Sequence, residues 1–183
     1  ESDQIHLKKS FHLLTDKPVL YVANIDEDQI INKDHNKHVK NLVDLAQKEG
    51  NAAISLCVFL EQDIASLESD EKLLFLNDFN LKEPGLNAVI RNSYELLGLQ
   101  TFFTCGENEV RAWTISTNTP APLAAGSIHT DFQRGFIKAE VFNYKDILKY
   151  GSEKALRELG LIKQEGKTYI VKDGDCIFFK FNV

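Results

Sequence analysis

Residues 15–27 read TDKPVLYVANIDE, and this stretch decides the fold of the first half of the chain. The run from Val19 to Ala23 is continuously apolar, which is typical of a strand buried on both faces of a parallel sheet. Pro18 stops any helix that arrives before it, and Asn24 ends the apolar run. Doubly wound parallel sheets present their ligand-contacting loops at the C-terminal ends of strands, so residues 24–27 occupy the position of such a loop.

The following segments complete a strand–helix–strand unit. Between residues 36 and 49 apolar side chains recur at helical spacing, and Gly50 follows as a C-cap. A second apolar run at residues 52–60 predicts the next strand, so the order is that of a right-handed parallel crossover. Helices are also expected at residues 61–76 and 85–97.

Beyond residue 100 the sequence changes from helical to β-type patterning. A turn is expected at residues 105–108, and a short helix near residues 146–159. Alternating or apolar runs predict strands at residues 100–104, 110–116, 135–143, 168–171 and 176–181. The chain is therefore expected to combine an α/β part with a small, β-grasp-like α+β part, and the boundary is expected near residue 100.

Composition and charge limit the setting of the protein. With 43% hydrophobic and 26% charged residues the chain is expected to fold, and neither a run of about 18 apolar residues nor an N-terminal leader is present. The expected setting is cytoplasmic. Residues 1–100 carry 10 Lys and Arg against 17 Asp and Glu, whereas residues 101–183 carry 11 against 10, so only the second part could face an anion. A sequence without methionine that begins at Glu1 is expected to be a fragment of a longer protein.

Cysteine and histidine residues give no sign of a metal or redox site. Cys57, Cys105 and Cys176 are odd in number, far apart and in apolar or strand-like surroundings, so we predict buried thiols. His35 and His38 are three residues apart without a further ligand nearby in the sequence. That spacing favours a solvated surface over a zinc site.

Gly166, Lys167 and Thr168 look like the end of a phosphate-binding loop. Such a loop requires a glycine five positions before Gly166, where this chain has Leu161, and it opens a helix. The next residues, 169–171, instead predict a strand, so we interpret the segment as a hairpin turn. No catalytic residue is predicted in this chain.

The loop at residues 24–27 can be compared with the base-recognition loop of P-loop GTPases, which reads N-K-x-D. The Asp of that loop accepts two hydrogen bonds from the guanine edge. Here Ile25 takes the place of the Lys and Glu27, one methylene longer, takes the place of the Asp, which argues against guanine specificity. On four residues alone, a turn in which Asn24 caps the next helix is the simpler interpretation.

Longer segments of the sequence favour a base-recognition loop over a simple turn. Residues 14–27 resemble the base-recognition segment of the YchF or Obg-like ATPase family of P-loop NTPases, as do residues 83–87 and 94–99. More specific blocks resemble the TGS domain that closes YchF proteins, and they comprise residues 109–115, 124–132, 134–137 and 169–175. The resemblance covers essentially the whole chain.

The resemblance implies an NTPase that prefers or accepts ATP, with Mg²⁺ and the phosphate ligands supplied outside this chain and no nucleotide held tightly by the chain alone. Residues 1–99 would be the end of the NTPase domain, a Rossmann-like parallel sheet, and residues 1–14 the returning end of a helical insertion. Residues 100–183 would be the TGS domain. The nucleotide would be ATP or GTP. The residues implied to contact its base are Asn24, Ile25, Glu27, Cys57, Val58 and Phe59.

The second part would carry the contacts with the ribosome or RNA, and neither a membrane nor a specific DNA sequence is expected as a partner. The candidates are His129, Thr130, Asp131, Arg134 and Lys138. For His129, a hydrogen-bonding corner of the fold and a partner-contacting loop are equally open. Trp113 lies in an alternating strand and is expected to pack in the core rather than to stack on a base.

The alternative to an NTPase is a TGS-containing module that binds RNA, ribosome or protein and has no enzymatic activity. The two interpretations differ in what the coding sequence upstream should contain. A G-x-x-x-x-G-K-[ST] motif there would favour the NTPase.

Overall fold

The computed structural model describes residues 10–31, 36–106 and 109–182, with only the backbone of Ile31. The chain divides into two compact units, Glu1–Leu97 and Gly98–Val183. Three expectations fall outside the described residues: most of the insertion end predicted over residues 1–14, the surface position of His35, and the middle of the turn predicted at residues 105–108. Within the described ranges, no helix is long and apolar enough to cross a membrane.

The first unit is built on two parallel strands. Along the chain it contains a 3₁₀ turn (Leu14–Asp16), β1 (Leu20–Asn24), α1 (Glu27–Ile31), α2 (Lys37–Glu49), β2 (Ala52–Leu56), α3 (Val58–Ser66), α4 (Ser69–Asp78) and α5 (Gly85–Leu96). β1 and β2 pair in parallel register, from Leu20 opposite Ala52 to Asn24 opposite Leu56. The C-terminal ends of both strands therefore lie at the same edge.

Helix α2 begins and ends where the sequence predicts. Oδ1 of Asn36 accepts hydrogen bonds from the backbone amides of His38 and Val39 at 3.0 and 3.2 Å. Gly50 follows the last turn with a φ of 71°. The side-chain cap satisfies amides that have no partner inside the helix, and glycine adopts the left-handed conformation at little cost.

The strand predicted over residues 52–60 is wrong in its second half. The strand ends at Leu56, and Cys57 is an extended residue that precedes α3. The apolar Val58 and Phe59 therefore lie in the first turn of a helix, where their side chains are 54% and 63% exposed. The apolar residues at these two positions are therefore not buried in a sheet.

The single helix predicted over residues 61–76 is also wrong, because α3 and α4 are separate helices. Leu67 is extended, with φ −80° and ψ 149°, and ends α3. Glu68 and Glu71 then form a capping box that starts α4. The break follows from this cap, which a count of apolar periodicity did not include.

Two residues predicted to contact a base belong to the core of the first unit. Ile25 and Cys57 are 7% and 3% exposed. They cluster with the buried Ile30 and Leu60, and the partly buried residues packed against this cluster include Val39, Phe75, Phe79 and Leu81. Their side chains are therefore needed for packing.

The second unit contains five strands in one mixed sheet. Its elements are β3 (Leu99–Cys105), β4 (Val110–Ser116), α6 (Ala121–Ile128), α7 (Thr130–Arg134), β5 (Phe136–Asn143), α8 (Tyr144–Tyr150), α9 (Glu153–Glu158), β6 (Lys163–Glu165) and β7 (Asp175–Phe181). The strand order is β4-β3-β7-β5-β6. The neighbours β3 and β7 are parallel, and the other pairs are antiparallel.

The core of the second unit lies between α6 and one face of this sheet. The alanines of α6 at positions 121, 124 and 125 are fully buried and allow the helix to approach the strands closely. Phe102 of β3 meets Phe179 of β7 edge to face, with ring centroids 6.0 Å apart. Trp113 packs against the same cluster, and its Nε1 donates a hydrogen bond to Oγ1 of Thr104 at 2.9 Å. The predicted core role of Trp113 is confirmed.

Three features of the second unit differ from the sequence prediction. Residues 146–159 do not form one helix, because Gly151 adopts a φ of 81° between α8 and α9. Helix α6 was not predicted from its Thr-, Pro- and Ala-rich segment. The strand predicted at residues 168–171 is wrong, since only a single bridge joins Ile170 to Pro120. Its backbone groups bond instead to the segment before α6, as in the 3.0 Å bond from the Val171 amide to the Thr119 carbonyl.

Gly166 and the two residues after it form a turn, closed by a 3.2 Å hydrogen bond from the Tyr169 amide to the Gly166 carbonyl. A phosphate-binding loop requires a helix directly after it, and no helix follows this turn. Among the cysteines, Cys57 and Cys176 are buried as predicted, whereas Cys105, the last residue of β3, is exposed. Burial and the adjacent Cys105 thiol raise the pKa of Cys176 to about 12, which keeps it a thiol at neutral pH.

Candidate nucleotide-base site and partner surface

The loops after β1 and β2 meet at the shared C-terminal edge of the two strands. Oδ1 of Asn24 accepts a hydrogen bond from the Val58 amide at 3.1 Å, and the Ile25 amide donates to the Leu56 carbonyl at 3.0 Å. Cys57 provides no side-chain cap for α3, so Asn24 supplies an acceptor for the first amide of that helix from across the sheet. The simpler interpretation of Asn24, a cap for the helix that follows it, is therefore wrong.

The predicted base-contacting residues fall into two groups. Asn24, Glu27, Val58 and Phe59 are exposed, whereas the side chains of Ile25 and Cys57 are buried. The buried pair can meet a ligand only through the backbone. The alignment with the N-K-x-D loop could not reveal this, because it contains no information about which way each side chain points.

An open cleft of about 450 Å³ lies between the two loops, lined by Asp26, Glu27, Asp28, Cys57 and Phe59. The exposed ring of Phe59 offers a face on which a planar base can stack. The carboxylate of Glu27 offers acceptors for an exocyclic amino group. A planar ring that carries hydrogen-bond donors at one edge therefore matches the chemistry of the cleft.

A centre for the Mg²⁺ of a nucleoside triphosphate requires oxygen ligands such as carboxylates. Among residues 10–31, 36–106 and 109–182, no group of three His, Cys, Asp or Glu side chains is placed to hold a metal ion. His38, on α2, is exposed, in agreement with the predicted solvated surface. The donor set of the described residues does not fit a metal ion.

One residue near the cleft was not predicted from the sequence. The two carboxylate oxygens of Glu61, on α3, accept hydrogen bonds from the amides of Gly85 and Leu86, at 2.6 and 3.1 Å. Glu61 also lines a second cavity of about 300 Å³ with Cys57 and Gly85. The contact joins residues 24 positions apart, so helical periodicity gave no signal for it.

The predicted partner residues on α7 form a compact polar corner. Nδ1 of His129 accepts a hydrogen bond from the Asp131 amide at 3.2 Å and so caps α7. Asp131 also lies 3.5 Å from Nδ1 of His129 and 3.7 Å from Nη1 of Arg134. This geometry supports the hydrogen-bonding corner as the structural role of His129. Thr130, the first residue of α7, is exposed beside it.

Lys138 does not join this corner. It lies on β5 opposite Lys180 of β7, and its Nζ donates a hydrogen bond to Oε1 of Gln164 at 2.9 Å. The next residue, Ala139, is buried in the core against which Phe132 of α7 packs. Successive side chains of a strand point to opposite faces, so Lys138 lies on the sheet face away from that core. The predicted partner surface is therefore two surfaces, the α7 corner (residues 129–134) and the lysine pair (Lys138 and Lys180).

Parallel strands joined by helices, with the loops after them meeting at one edge, give the first unit an α/β architecture. Residues 99–182 match the sequence family YchF-GTPase_C, described as "Protein of unknown function (DUF933)". Residues 99–182 belong to this family, and the resemblance to YchF proteins that the sequence predicted is confirmed.

Relatives from two bacteria carry the name "Ribosome-binding ATPase YchF". The protein of Haemophilus ducreyi is 46% identical over 183 residues, which is 100% of this chain and 50% of that protein. The protein of Bacillus subtilis is 47% identical over 181 residues, 99% of this chain and 50% of that protein. The chain thus spans about half the length of the curated relatives it matches.

Two solved structures resemble the chain. The Schizosaccharomyces pombe YchF GTPase matches with a TM-score of 0.82 and 34% identity, over 98% of this chain and 48% of that one. A GTP-binding protein from Pyrococcus horikoshii matches with a TM-score of 0.61 over 91% of this chain and 46% of that one. At 17% identity the second likeness concerns the fold alone.

Proposed function

We propose that the chain is the C-terminal part of a cytoplasmic, ATP-binding and ATP-hydrolysing protein of the YchF type that acts on the ribosome. In this proposal residues 1–99 complete a Rossmann-like NTPase domain and supply its base-contacting edge. The observation that carries the proposal is the junction at which Asn24 bonds to the start of α3, beside a cleft with an exposed ring and carboxylates. Relatives of this chain are named as ribosome-binding ATPases.

The choice of ATP over GTP rests on the position of one carboxylate. A guanine base presents two adjacent donors that a suitably placed Asp can bind together, whereas adenine presents one amino donor next to an acceptor. Glu27 carries its carboxylate one methylene farther from the backbone than an Asp would. It is therefore expected to accept from a single amino group rather than to make the paired guanine contact.

Shortening this side chain should change the base preference. In the full-length protein that contains this chain, we expect Glu27→Asp to shift the ratio of ATP affinity to GTP affinity toward GTP by about tenfold, the value of one well-formed hydrogen bond to a charged group. Isothermal titration calorimetry with both nucleotides measures the ratio. Glu95→Asp makes the same chemical change at an exposed site on α5 and should leave the ratio unchanged. A strong preference of the unmodified protein for GTP would contradict the proposal.

The second unit is proposed to be a TGS domain of the β-grasp type. Its first strand β3 and last strand β7 are parallel neighbours, with the hairpin partner β4 outside β3 and the antiparallel strand β5 outside β7. Helix α6 follows the first hairpin and packs against one face of the sheet. This strand order, with antiparallel strands on both sides of a parallel central pair, supports the proposed domain type.

The ribosome or RNA is proposed to contact the second unit through the α7 corner, the lysine pair, or both. The two surfaces can be tested separately because Arg134 and Lys138 lie on different faces of the unit. Charge reversal at a phosphate-contacting residue should weaken binding by several-fold at low salt, since such contacts release counterions. Neither surface is part of the base cleft, so ATP affinity should not change.

We therefore expect Arg134→Glu and Lys138→Glu each to reduce co-sedimentation of the full-length protein with ribosomes, most clearly at low salt. Lys154→Glu reverses an exposed charge on α9 and serves as the matched control. If both variants sediment like the unmodified protein, the contact lies elsewhere in the full-length protein, and this part of the proposal is wrong. Loss with only one variant identifies which surface binds.

A further inference from the structure

Glu61 connects the base cleft to the start of α5. Its backbone amide donates to the Cys57 carbonyl at 3.0 Å, so Glu61 belongs to the same helical turn as Val58 and Phe59. Its carboxylate reaches away from the cleft, and each oxygen accepts one of the first two amides of α5, at 2.6 and 3.1 Å. The turn that carries Phe59 is thus fixed to a second helix.

Gly85, the first residue of α5, has little room for a side chain. A Cβ at Gly85 would lie 2.8 Å from Oε1 of Glu61 and 3.1 Å from Cβ of Leu56, the last residue of β2. Both distances are shorter than ordinary van der Waals contact, and the Leu56 atom cannot move without moving the strand end. The start of α5 is therefore packed directly against the strand end and the first turn of α3.

The contact provides an acceptor for the first amides of α5 and donors for the Glu61 carboxylate. The first amides of a helix have no acceptor inside it, and Pro84, at the N-cap of α5, offers no side-chain acceptor. A carboxylate at this end also interacts favourably with the positive end of the helix dipole. Glu61 in turn gains two donors that hold its side chain in one orientation, which holds the first turn of α3 in place.

We propose that Glu61 is a positioning residue of the base site: its bonds to the start of α5 fix the turn that presents the Phe59 ring to the base. The turn is then held at two points, by Asn24 from one side and by Glu61 from the other. This inference rests on the proposed base site. Without the second point the turn can rotate about the first, and a stacking ring loses its alignment with the base.

The proposal predicts a loss of affinity that is specific to the base. Glu61→Gln keeps the shape of the side chain but places an amide donor against one of the two backbone donors of α5. In the full-length protein we expect the Kd for MgATP to rise by about tenfold, because one contact to a charged group is lost and a donor is left without an acceptor. Binding of inorganic tripolyphosphate with Mg²⁺, which has no base, should be unchanged.

Two further variants keep the test decisive. Glu71→Gln makes the same chemical change at the carboxylate that caps α4 in the same unit, outside the lining of the base cleft, and should leave the Kd for MgATP unchanged. Gly85→Ala keeps the Glu61 carboxylate in the sequence but brings a Cβ against its Oε1 and against Cβ of Leu56, so the carboxylate is displaced from the α5 amides. This variant should therefore weaken MgATP without weakening tripolyphosphate. If Glu61→Gln does not fold, Gly85→Ala decides the question.

The outcomes separate this inference from the function on which it rests. Equal weakening of MgATP and tripolyphosphate in both variants would show a general structural role and overturn the inference. Unchanged MgATP affinity in a folded Glu61→Gln variant would overturn it as well. An unmodified protein that binds MgATP no more tightly than tripolyphosphate would instead overturn the base site itself.

Discussion

The 183-residue chain, purified alone, is expected to hydrolyse neither ATP nor GTP, even with Mg²⁺ in excess. Phosphoryl transfer depends on groups that hold the phosphates and the metal ion and stabilise the charge that develops in the transition state. The sequence contains no G-x-x-x-x-G-K-[ST] motif, and the similar residues 166–168 form a turn with no helix after it. Enzymes accelerate such reactions on the order of a millionfold or more, so turnover should fall to background.

Phosphate release by the chain, compared with a longer protein that contains it, measures this effect. Lys167→Ala provides the control, because it removes the one lysine that imitates a phosphate-binding loop. Residual activity that does not respond to Lys167→Ala and declines during purification belongs to a contaminant. Magnesium-dependent turnover that co-purifies with the chain and is abolished by Lys167→Ala would show that the prediction is wrong.

Local signals in the sequence were sufficient for the elements that depend on them. The helical spacing over residues 36–49 and the glycine at position 50 defined α2, and the apolar run after Pro18 defined β1. Each signal acts within a few residues of where it stands, because a cap or a left-handed turn is satisfied by its own neighbours. Such elements do not require knowledge of the tertiary fold.

Features that depend on distant partners were not predictable in this way. The apolar Val58 and Phe59 extend the run of β2, but the Val58 amide donates a hydrogen bond to Asn24, 34 positions earlier, and a helix begins there. The contact of Glu61 with Gly85 has the same character. A short apolar run fits a buried strand and the exposed start of a helix equally well, and the tertiary partner decides between them.

Ile25 shows the limit of transferring a motif by alignment. Its position in the loop corresponds to the Lys of N-K-x-D, which covers a base or ribose, yet its side chain is 7% exposed and packs with Ile30, Cys57 and Leu60. The alignment gave the place of the loop along the chain. The direction of the side chain follows from packing, so converting this loop to the GTPase sequence would place a lysine in the core.

Ile25→Lys is therefore expected to destabilise the first unit strongly rather than to create guanine affinity. Burying a lysine lowers its pKa by several units, and each unit corresponds to about 1.4 kcal/mol, so we expect a loss of about 4 kcal/mol or more in the free energy of unfolding at neutral pH. The destabilisation should also decrease as the pH rises. A lysine whose pKa is lowered in the folded state costs most below that value, and the cost disappears as the pH rises toward the ordinary pKa of lysine.

Unfolding of the chain in urea, monitored by hydrogen exchange at the amides of β1 and β2, measures this loss in the unit that contains residue 25. Ile25→Val is the matched control, since removing one methyl group from a buried isoleucine costs only about 1 kcal/mol. A buried position predicts a large difference between the two variants that narrows at alkaline pH. Equal stability of Ile25→Lys and Ile25→Val at neutral pH would mean that the residue-25 side chain reaches solvent. The loop would then present it to the base, as its alignment with the GTPase motif suggests.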